Sequence, residues 1–333
     1  MEIGNLKDMI IIGGGPAGLV AGIYAMRGGV NAICIEKENA GGKIAEAGVV
    51  ENYLGYSQIK GFELANNFAE HANSLNLPIV HEEVINVVPN AVTIHDENGN
   101  NKLSYHKVVT SNNDYITKTV VIASGSKYKS LGINEDEYVG KGVGYCVMCD
   151  AFFFKDRHVL VIGRNTPAAM AAYNLKDIAK KITIVTDKSE IKVVEKIIMD
   201  RLEKIENLEI IYNAKPLEFK GEVKFEGIEV EMLDTKNNTN ANNNNNNNNN
   251  QKQVINGDGA FIMLGYTPNN EFLSDSNIEL NKGFVVTNKN CETNIEGIYA
   301  CGDITGGVLQ VSKAVGEGVY AFSSASKYLQ KFE

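Results

Sequence analysis

The chain has 333 residues and a mass of 36.3 kDa, a length that predicts about two globular domains. Its net charge of −9 argues against a nucleic-acid partner, and no apolar run approaches the roughly 18 residues that would span a membrane. Five cysteines with a single close pair do not make a disulfide scaffold. Together with a polar start over residues 1–8, they predict a protein of the reducing cytoplasm.

The first predicted elements are a strand, a glycine turn, a helix and a second strand. Residues 9–12 form a short apolar run typical of a buried parallel strand, and residues 13–18 follow with the pattern Gly-x-Gly-x-x-Gly. A helix is predicted over residues 19–27 and a strand over residues 32–35, ending at Glu36. In this context the glycines allow close approach of a pyrophosphate, and the Glu36 carboxylate can accept hydrogen bonds from ribose hydroxyls. The sequence therefore predicts a dinucleotide-binding unit.

Further along the chain the pattern changes and then repeats. Residues 81–118 contain short alternating runs separated by turn residues, which predicts antiparallel hairpins. A second unit of the first kind begins with the apolar residues 159–163, followed by a predicted helix over 168–179 and a strand over 182–185. Two such starts about 150 residues apart indicate two nucleotide-binding-type domains and not one large sheet.

The last third of the chain contains one low-complexity segment. Residues 237–250 are asparagine-rich and end in nine consecutive asparagines, so we expect a disordered loop. A strand that runs into a glycine turn is predicted at residues 298–303, and a helix at residues 314–329.

A pair of cysteines three residues apart is the second chemical signal. Cys146 and Cys149 can form a small, easily reduced disulfide, a zinc half-site or a pair of inert buried thiols. Asp150 follows directly and could transfer the proton that thiol–disulfide exchange requires, or could serve as a helix cap. The other cysteines are expected to be structural: Cys34, Cys291 and Cys301.

A Cys-x-x-Cys-Asp segment between two nucleotide-binding units resembles the low-molecular-weight flavoprotein thioredoxin reductases. The similarity covers essentially the whole chain and includes the motifs Gly-Gly-Lys, Val-Glu-Asn, Ala-Ser-Gly, Gly-Tyr-Thr-Pro-Asn and Gly-Asp. These motifs belong to the following matching segments: 13–18, 41–43, 50–52, 123–125, 142–154, 265–269, 302–310 and 316–318.

The resemblance implies an α/β fold of two Rossmann-like dinucleotide-binding domains, the second inserted into the first. The expected FAD-binding domain is residues 1–126 and 251–333, and the expected inserted domain, which is NAD(P)H-binding-like and carries the cysteine pair, is residues 127–250. The resemblance also implies a homodimer with thioredoxin as its partner, and no membrane or nucleic-acid partner.

The same resemblance assigns the site residues. In the family the second cysteine, here Cys149, faces the flavin, and the first, here Cys146, attacks the thioredoxin disulfide, with Asp150 as the third catalytic residue. Asp303 is expected on the ribityl chain of FAD. The full set of expected FAD-binding residues is Gly13, Gly15, Pro16, Ala17, Gly18, Glu36, Lys37, Gly42, Lys43, Asn52, Ala123, Gly125, Gly302, Asp303, Gln310 and Val311. No metal is expected.

The second nucleotide turn departs from the family pattern Gly-x-Gly-x-x-Ala. Residues 163–168 read Gly-Arg-Asn-Thr-Pro-Ala, so Asn165 stands where a glycine would admit the pyrophosphate. After the next strand the family has a His-Arg-Arg cluster for the 2′-phosphate of NADPH, and here Asp187 is expected to repel that phosphate, with Lys188 and Lys192 compensating in part.

These departures resemble the ferredoxin-dependent flavin thioredoxin reductases, so NADPH is doubtful and ferredoxin is the expected electron donor. One alternative is an NAD(P)H-dependent thioredoxin reductase with a divergent nucleotide site. Another is an NAD(P)H oxidase or ferredoxin–NADP reductase on the same scaffold, although such relatives generally lack the cysteine pair. A third is a non-catalytic flavin-binding redox sensor or scaffold.

Overall fold

The computed structural model describes residues 6–95, 102–193, 195–233 and 251–332. The chain divides into two compact units: the first unit comprises Met1–Lys127 and Thr267–Glu333, and the second unit is Tyr128–Tyr266. Each unit contains a parallel sheet of the Rossmann type, which confirms the predicted α/β class. The asparagine-rich segment lies outside the described residues. Within the described residues, no helix has the length and apolar character needed to cross a membrane.

The first segment of the chain supplies most of the first unit's sheet. Its elements are β1 (Leu6–Ile12), α1 (Pro16–Arg27), β2 (Ala32–Glu36), a 3₁₀ helix (Gly42–Glu46), β3 (Val49–Val50), β4 (Ile59–Lys60), α2 (Gly61–Ser74), β5 (Ile79–His81), β6 (Val84–His95), β7 (Lys102–Thr110), β8 (Asp114–Ile122) and β9 (Ser126–Tyr128).

The sheet of the first unit has the order β5-β2-β1-β8-β7-β6. The first three strands and β8 are parallel, whereas β6, β7 and β8 form the predicted antiparallel hairpins. Residues Met9, Ile10 and Ile11 of β1 are completely buried, because helices and loops cover both faces of the sheet. That two-sided burial explains the continuous apolar run in the sequence.

The second unit contains its own parallel sheet, of order β10-β17-β11-β12-β13, and an antiparallel sheet β14-β15-β16. Its elements are a 3₁₀ helix (Glu135–Glu137), β10 (Val143–Gly144), α3 (Val147–Asp150), a 3₁₀ helix (Ala151–Phe154), β11 (His158–Gly163), α4 (Thr166–Leu175), β12 (Lys181–Val185), α5 (Lys196–Leu202), β13 (Leu208–Ile211), β14 (Ala214–Lys220), β15 (Gly227–Met232), β16 (Lys252–Asn256) and β17 (Gly259–Met263). Strand β18 (Tyr266–Pro268) begins at the last residue of this unit.

Helix α4 is shorter than the sequence predicts. It ends at Leu175 and not at residue 179. The carbonyl of Leu175 accepts hydrogen bonds from the amides of both Ile178 and Ala179, and the carbonyl of Ile178 accepts one from the amide of Asp156. These bonds turn the chain out of the helix and into β12.

The return to the first unit occurs later than expected. The sequence prediction places it at residue 251, but the structure assigns residues up to Tyr266 to the second unit. The reason is that β16 pairs with β15, and β17 lies between β10 and β11, as an interior strand of the parallel sheet. All five residues of β17 are buried. The sequence analysis did not identify this strand, so it ended the inserted domain too early.

The last segment completes the first unit. Strand β21 pairs in parallel with the second half of β8, whose first half pairs with β7. The elements of this segment are β19 (Leu280–Asn281), β20 (Phe284–Val285), β21 (Ile298–Ala300), a 3₁₀ helix (Gly302–Thr305) and α6 (Val311–Leu329).

Candidate functional site

The three glycines of the turn between β1 and α1 have different roles. Gly13 has φ +103°, and a Cβ added there would lie 2.4 Å from the carbonyl oxygen of Ala123. A Cβ on Gly18 would lie 1.9 Å from the carbonyl oxygen of Gly13. The fold itself therefore requires these two glycines. A Cβ on Gly15 would have only the Cα of Gly42 nearby, at 3.9 Å, so the glycine at this position leaves open space beside the backbone.

The start of helix α1 favours an anion. Gly15 is the N-cap with no side-chain capping bond, Pro16 follows at the start of the helix, and the first turn contains no acidic residue. The unpaired amides and the helix dipole therefore present partial positive charge at this end. Ala17, in the same turn, packs against the last segment of the chain, since a Cβ on Gly302 would lie 2.9 Å from the Cβ of Ala17.

The carboxylate of Glu36, at the end of β2, is held beside the turn. Its Oε2 accepts a hydrogen bond from the amide of Gly14 at 2.6 Å, and its Oε1 accepts one from the amide of Glu38 at 2.8 Å. The next residue, Lys37, directs its ammonium to Glu83 at 3.5 Å. The structure thus brings Glu36 to the turn, whereas the Lys37 side chain contacts Glu83.

The loop after β2 returns to the turn and brings a buried cation with it. The Gly41 amide donates to the carbonyl of Gly14 at 2.8 Å, and a Cβ on Gly42 would lie 2.8 Å from the Cα of Gly15. Lys43 follows, with its Nζ buried. Burial lowers the pKa of Lys43 to about 8, against the opposing effect of the carboxylates of Glu46, Asp303 and Glu38. This ammonium would gain from an anionic ligand close by.

Asp303 is the second carboxylate of the site. It lies in the 3₁₀ helix after β21, and burial raises its pKa, although a hydrogen bond from Ser126 and the nearby Lys313 and Lys43 oppose that rise. The Ser126 Oγ donates to Asp303 Oδ2 at 3.1 Å. A buried carboxylate fixed in this way can accept hydrogen bonds from hydroxyl groups of a ligand.

The remaining predicted cofactor residues lie around the same turn and helix α6. The amide of Ala123 bonds to the carbonyl of Ile12 at 2.8 Å, which joins the end of β8 to the end of β1. Asn52 donates through Nδ2 to Gln310 Oε1 at 3.1 Å although 258 positions separate them. Gln310 is the N-cap of α6, and Val311 begins that helix. The carbonyl of Gly125 accepts from the amide of Asn269 at 3.1 Å.

The residues of the first unit fit an FAD-sized dinucleotide. The open space beside Gly15 is the cradle that a side chain would fill. The helix terminus next to it and the buried ammonium of Lys43 suit a pyrophosphate, while Glu36 and Asp303 supply acceptors for hydroxyl groups. The contacts join the glycine turn and the start of α1 to Glu36, Gly42, Ala123 and Gly302, whereas the ammonium of Lys37 is directed to Glu83.

In the second unit, Cys146 and Cys149 form a disulfide at the start of α3. The amide of Cys149 donates to Cys146 Sγ at 3.1 Å, so the sulfur caps the helix. Asp150 makes no capping hydrogen bond to the following 3₁₀ helix, which removes the cap as its structural explanation. Phe152 and Phe153, 79% and 78% exposed, follow the pair and present apolar surface to solvent.

The second turn, between β11 and α4, keeps the first glycine of the pattern. A Cβ on Gly163 would lie 2.4 Å from the carbonyl oxygen of Met263, so the fold requires this glycine. Asn165 is the N-cap of α4 in an extended conformation that accommodates its side chain.

The structure pairs Asp187, the carboxylate expected to repel a phosphate, with two cations, of which the sequence analysis anticipated Lys188. Arg164 Nη1 lies 3.2 Å from Asp187 Oδ2, and Lys188 Nζ lies 3.0 Å from the same oxygen. Two cations therefore neutralise this carboxylate, and the pairing with Arg164, 23 positions away, was not predicted from the sequence.

Sequence reasoning also missed several residues that shape the first site. Ser126 binds Asp303, and the side chain of Asn269 donates to the carbonyl of Ser124 at 2.9 Å. Lys313 and Glu317 of α6 contact Gly302. The available signals were the Gly-Glu-Gly motif at residues 316–318 and the spacing of four residues between Lys313 and Glu317.

The three unpaired cysteines are buried, as expected of structural residues. Burial raises the pKa of the Cys34, Cys291 and Cys301 thiols, that of Cys291 to about 12. Such thiols are unreactive. Within residues 6–95, 102–193, 195–233 and 251–332, no cluster of three or more histidine, cysteine or acidic residues could hold a metal ion.

Comparison with known proteins agrees with this geometry. The family model described as pyridine nucleotide-disulphide oxidoreductase matches residues 7–318. A "34.2 kDa protein in rubredoxin operon" of Clostridium pasteurianum is 35% identical over 97% of both chains, and a thioredoxin reductase of Ureaplasma parvum is 34% identical over 98% of both. The crystal structure of Lactococcus lactis thioredoxin reductase in the FR conformation superposes with a TM-score of 0.85 at 30% identity, covering 98% of this chain and 99% of that one.

Proposed function

This chain belongs to the pyridine nucleotide-disulphide oxidoreductase family, and on that premise we propose that it is an FAD-dependent thioredoxin-disulfide reductase. The observation that carries the proposal is the Cys146–Cys149 disulfide in a chain whose first unit has a fitting dinucleotide cradle. Relatives named thioredoxin reductase, similar over nearly their whole length, support it. A redox sensor without turnover would not need a dithiol followed by an aspartate that makes no capping hydrogen bond.

We propose that the first unit holds FAD through the turn at Gly15, the N-terminus of α1, Glu36, Lys43 and Asp303. FAD, when bound, supplies a two-electron carrier between a donor and the disulfide. The chain's own residues bind the pyrophosphate at the glycine turn and orient the hydroxyl-bearing parts through the two carboxylates.

The exchange with thioredoxin follows from thiol chemistry. Once the pair is reduced, the Cys146 thiolate attacks one sulfur of the thioredoxin disulfide, forms a mixed disulfide and releases the other substrate sulfur. The Cys149 thiolate then attacks Cys146 Sγ, which releases the second substrate sulfur and re-forms the Cys146–Cys149 disulfide. Two electrons pass to the substrate, and Asp150 accepts the proton of an attacking thiol and returns it to a leaving thiolate. The exposed Phe152 and Phe153 supply apolar surface for a protein substrate.

Trapping tests the order of these two steps. Cys149→Ser should accumulate a mixed disulfide between Cys146 and thioredoxin, visible by mass spectrometry, while Cys146→Ser should accumulate none. Both variants should retain FAD and lose thioredoxin reduction. Trapping through Cys149 would reverse the assignment, and near-normal turnover in either variant would refute it.

For the electron donor, we propose that NADPH is a poor reductant and that a small acidic iron–sulfur protein of the ferredoxin type is the better one. The support is Asn165, the N-cap of α4, because the family pattern has a glycine at this position and asparagine adds a side chain there. Asp187 no longer contributes to the argument, because Arg164 and Lys188 neutralise it. The alternative, an NAD(P)H-dependent enzyme with a divergent site, has these two cations in its favour.

Anaerobic titration at the flavin absorbance band separates the donors. Reduced ferredoxin should bleach the band stoichiometrically and support thioredoxin reduction, whereas NADPH and NADH at micromolar concentration should not. Rapid stoichiometric bleaching by NADPH would establish the alternative while leaving the thioredoxin reductase assignment intact. Bleaching by a donor without any thioredoxin reduction would favour the sensor.

We also propose that the chain is a homodimer, as the resemblance implies. Light scattering should then give twice the chain mass of 36.3 kDa. A mass equal to one chain at all concentrations would contradict it.

A further inference from the structure

Two side chains of α6 hold the peptide groups on both sides of Gly302. Glu317 Oε2 accepts a hydrogen bond from the Gly302 amide at 2.8 Å, and Lys313 Nζ donates one to the Gly302 carbonyl at 2.8 Å. The two side chains also pair with each other at 3.0 Å and are only 20% and 27% exposed. Thr305 completes the group, since its Oγ1 accepts from Lys313 Nζ at 2.8 Å and lies 3.1 Å from Glu317 Oε2.

The residue they hold determines where Asp303 points. Gly302 has φ +82°, a conformation open mainly to glycine, and it packs against Ala17 at the start of α1. A glycine in this conformation has no side chain to fix it, so its neighbours must set the direction of the chain. Asp303 follows directly, and its carboxylate is buried and bonded to Ser126.

We infer that Lys313 and Glu317 are positioning residues that set Asp303 for FAD by clamping the backbone of Gly302. This inference rests on the proposed function, since it requires that FAD binds beside Asp303. It goes further by assigning a role to two residues outside the predicted cofactor set, which bond to Gly302 directly and lie near Asp303.

The clamp differs from an ordinary helical ion pair. A pair that only stabilised α6 would work with its two charges exchanged, because the two positions lie on the same helix face. The clamp would not, because an ammonium cannot accept a hydrogen bond from the Gly302 amide and a carboxylate cannot donate one to the Gly302 carbonyl. The direction of the two hydrogen bonds therefore distinguishes the two roles.

The test is the exchange Lys313→Glu/Glu317→Lys. We expect the dissociation constant of FAD from the reconstituted apoprotein to rise about tenfold or more, since hydrogen bonds to charged groups contribute of that order. The visible circular dichroism of bound flavin should change as well. Thermal unfolding of the apoprotein should shift only slightly, because the ion pair is still present. The single variant Glu317→Gln still offers an oxygen acceptor to the Gly302 amide. Its dissociation constant for FAD should therefore stay within about threefold of wild type.

A matched control exchanges the exposed pair Lys107 and Asp114 on the β7–β8 hairpin, which should leave FAD affinity unchanged. Wild-type affinity and dichroism in the Lys313/Glu317 exchange would overturn the inference. The inference would also be overturned if the exchanged variant failed to fold while Lys313→Met bound FAD normally. A wild-type chain that binds no FAD would instead refute the proposed function, and the clamp with it.

Discussion

The turn after β1 and the turn after β11 share one backbone plan. In the first, the loop after β2 returns so that the Gly41 amide donates to the Gly14 carbonyl at 2.8 Å. In the second, the loop after β12 returns so that the Lys192 amide donates to the Arg164 carbonyl at 3.1 Å. Gly14 and Gly41 in the first arrangement thus correspond to Arg164 and Lys192 in the second.

Both turns have the first glycine, which close packing requires. They differ at the N-cap of the helix, where only the first turn has a glycine. Gly13 and Gly163 would each place an added Cβ 2.4 Å from a carbonyl oxygen of a neighbouring strand end. Gly15 has open space beside it, whereas its counterpart Asn165 carries a side chain in the equivalent N-cap position. The difference therefore concerns what each turn can bind and leaves folding unaffected.

The largest expected effect comes from giving the first turn the residue of the second. Gly15→Asn should weaken FAD binding by about a hundredfold or more, because the side chain would occupy the space of the pyrophosphate. The apoprotein should still fold, as judged by circular dichroism. Gly18→Ala is the contrasting control: its Cβ would lie 1.9 Å from a carbonyl oxygen, so it should lower thermal stability directly. Normal flavin content in Gly15→Asn would break the comparison.

Acid should destabilise the first unit through His106 of β7. His106 is completely buried, its Nδ1 accepts a hydrogen bond from the Asn90 amide, and burial lowers its pKa from 6.5 to about 4. Between those values the unfolded chain binds the proton and the folded chain does not, so stability falls as pH falls from 6.5 towards 4. The full loss is about 3 kcal/mol.

Urea unfolding at a series of pH values measures this slope. His106→Leu should flatten it, while the same change at the exposed His71 should not. An unchanged slope in His106→Leu would assign the acid sensitivity to other groups.

The reverse exchange in the second turn should have a smaller effect. Asn165→Gly opens the space that Gly15 leaves in the first turn, so we expect NADPH affinity to rise about tenfold, as measured by equilibrium binding. Arg164 and Lys188 are already in place to contact phosphate. If the variant gains nothing, Asn165 is not what limits nucleotide binding, and the proposal on the donor loses its main support.

The smallest expected effect is at Lys43. Burial lowers the pKa of Lys43 to about 8, so the charged ammonium reduces the free energy of unfolding of the apoprotein. Lys43→Met should therefore raise the apoprotein's thermal midpoint by about a few degrees and weaken FAD binding. Differential scanning fluorimetry with and without FAD measures both changes. A lower midpoint in the apoprotein would show that attraction to Glu46, Asp303 and Glu38 outweighs desolvation.

The sequence was informative wherever a local pattern has one physical meaning. The apolar run of β1, the glycine turn and Glu36 predicted a strand–turn–helix–strand unit. The spacing of Cys146 and Cys149 was compatible with the disulfide that the structure contains. Strand β17 was missed because its position inside the sheet depends on pairing with β10 and β11, which lie far earlier in the chain.

Ion pairs and backbone clamps were missed for a related reason. The Arg164–Asp187 pair and the contact of Glu317 with Gly302 join side chains to partners 23 and 15 positions away. No periodicity records such a contact, because it depends on how loops return to the sheet. The part of the site that could be predicted is the part written in consecutive residues.

The connectivity of the first unit also orders its biosynthesis. Strand β21 pairs with β8, and helix α6 packs with α1, yet the whole of the second unit separates these partners in the chain. A ribosome releases the complete second unit before it has made the residues that close the first. We expect the second unit to reach its native state while the first still lacks its last strand and helix, so that the cradle at Gly15 and the Asp303 carboxylate come together only after residues 298–329 have been made.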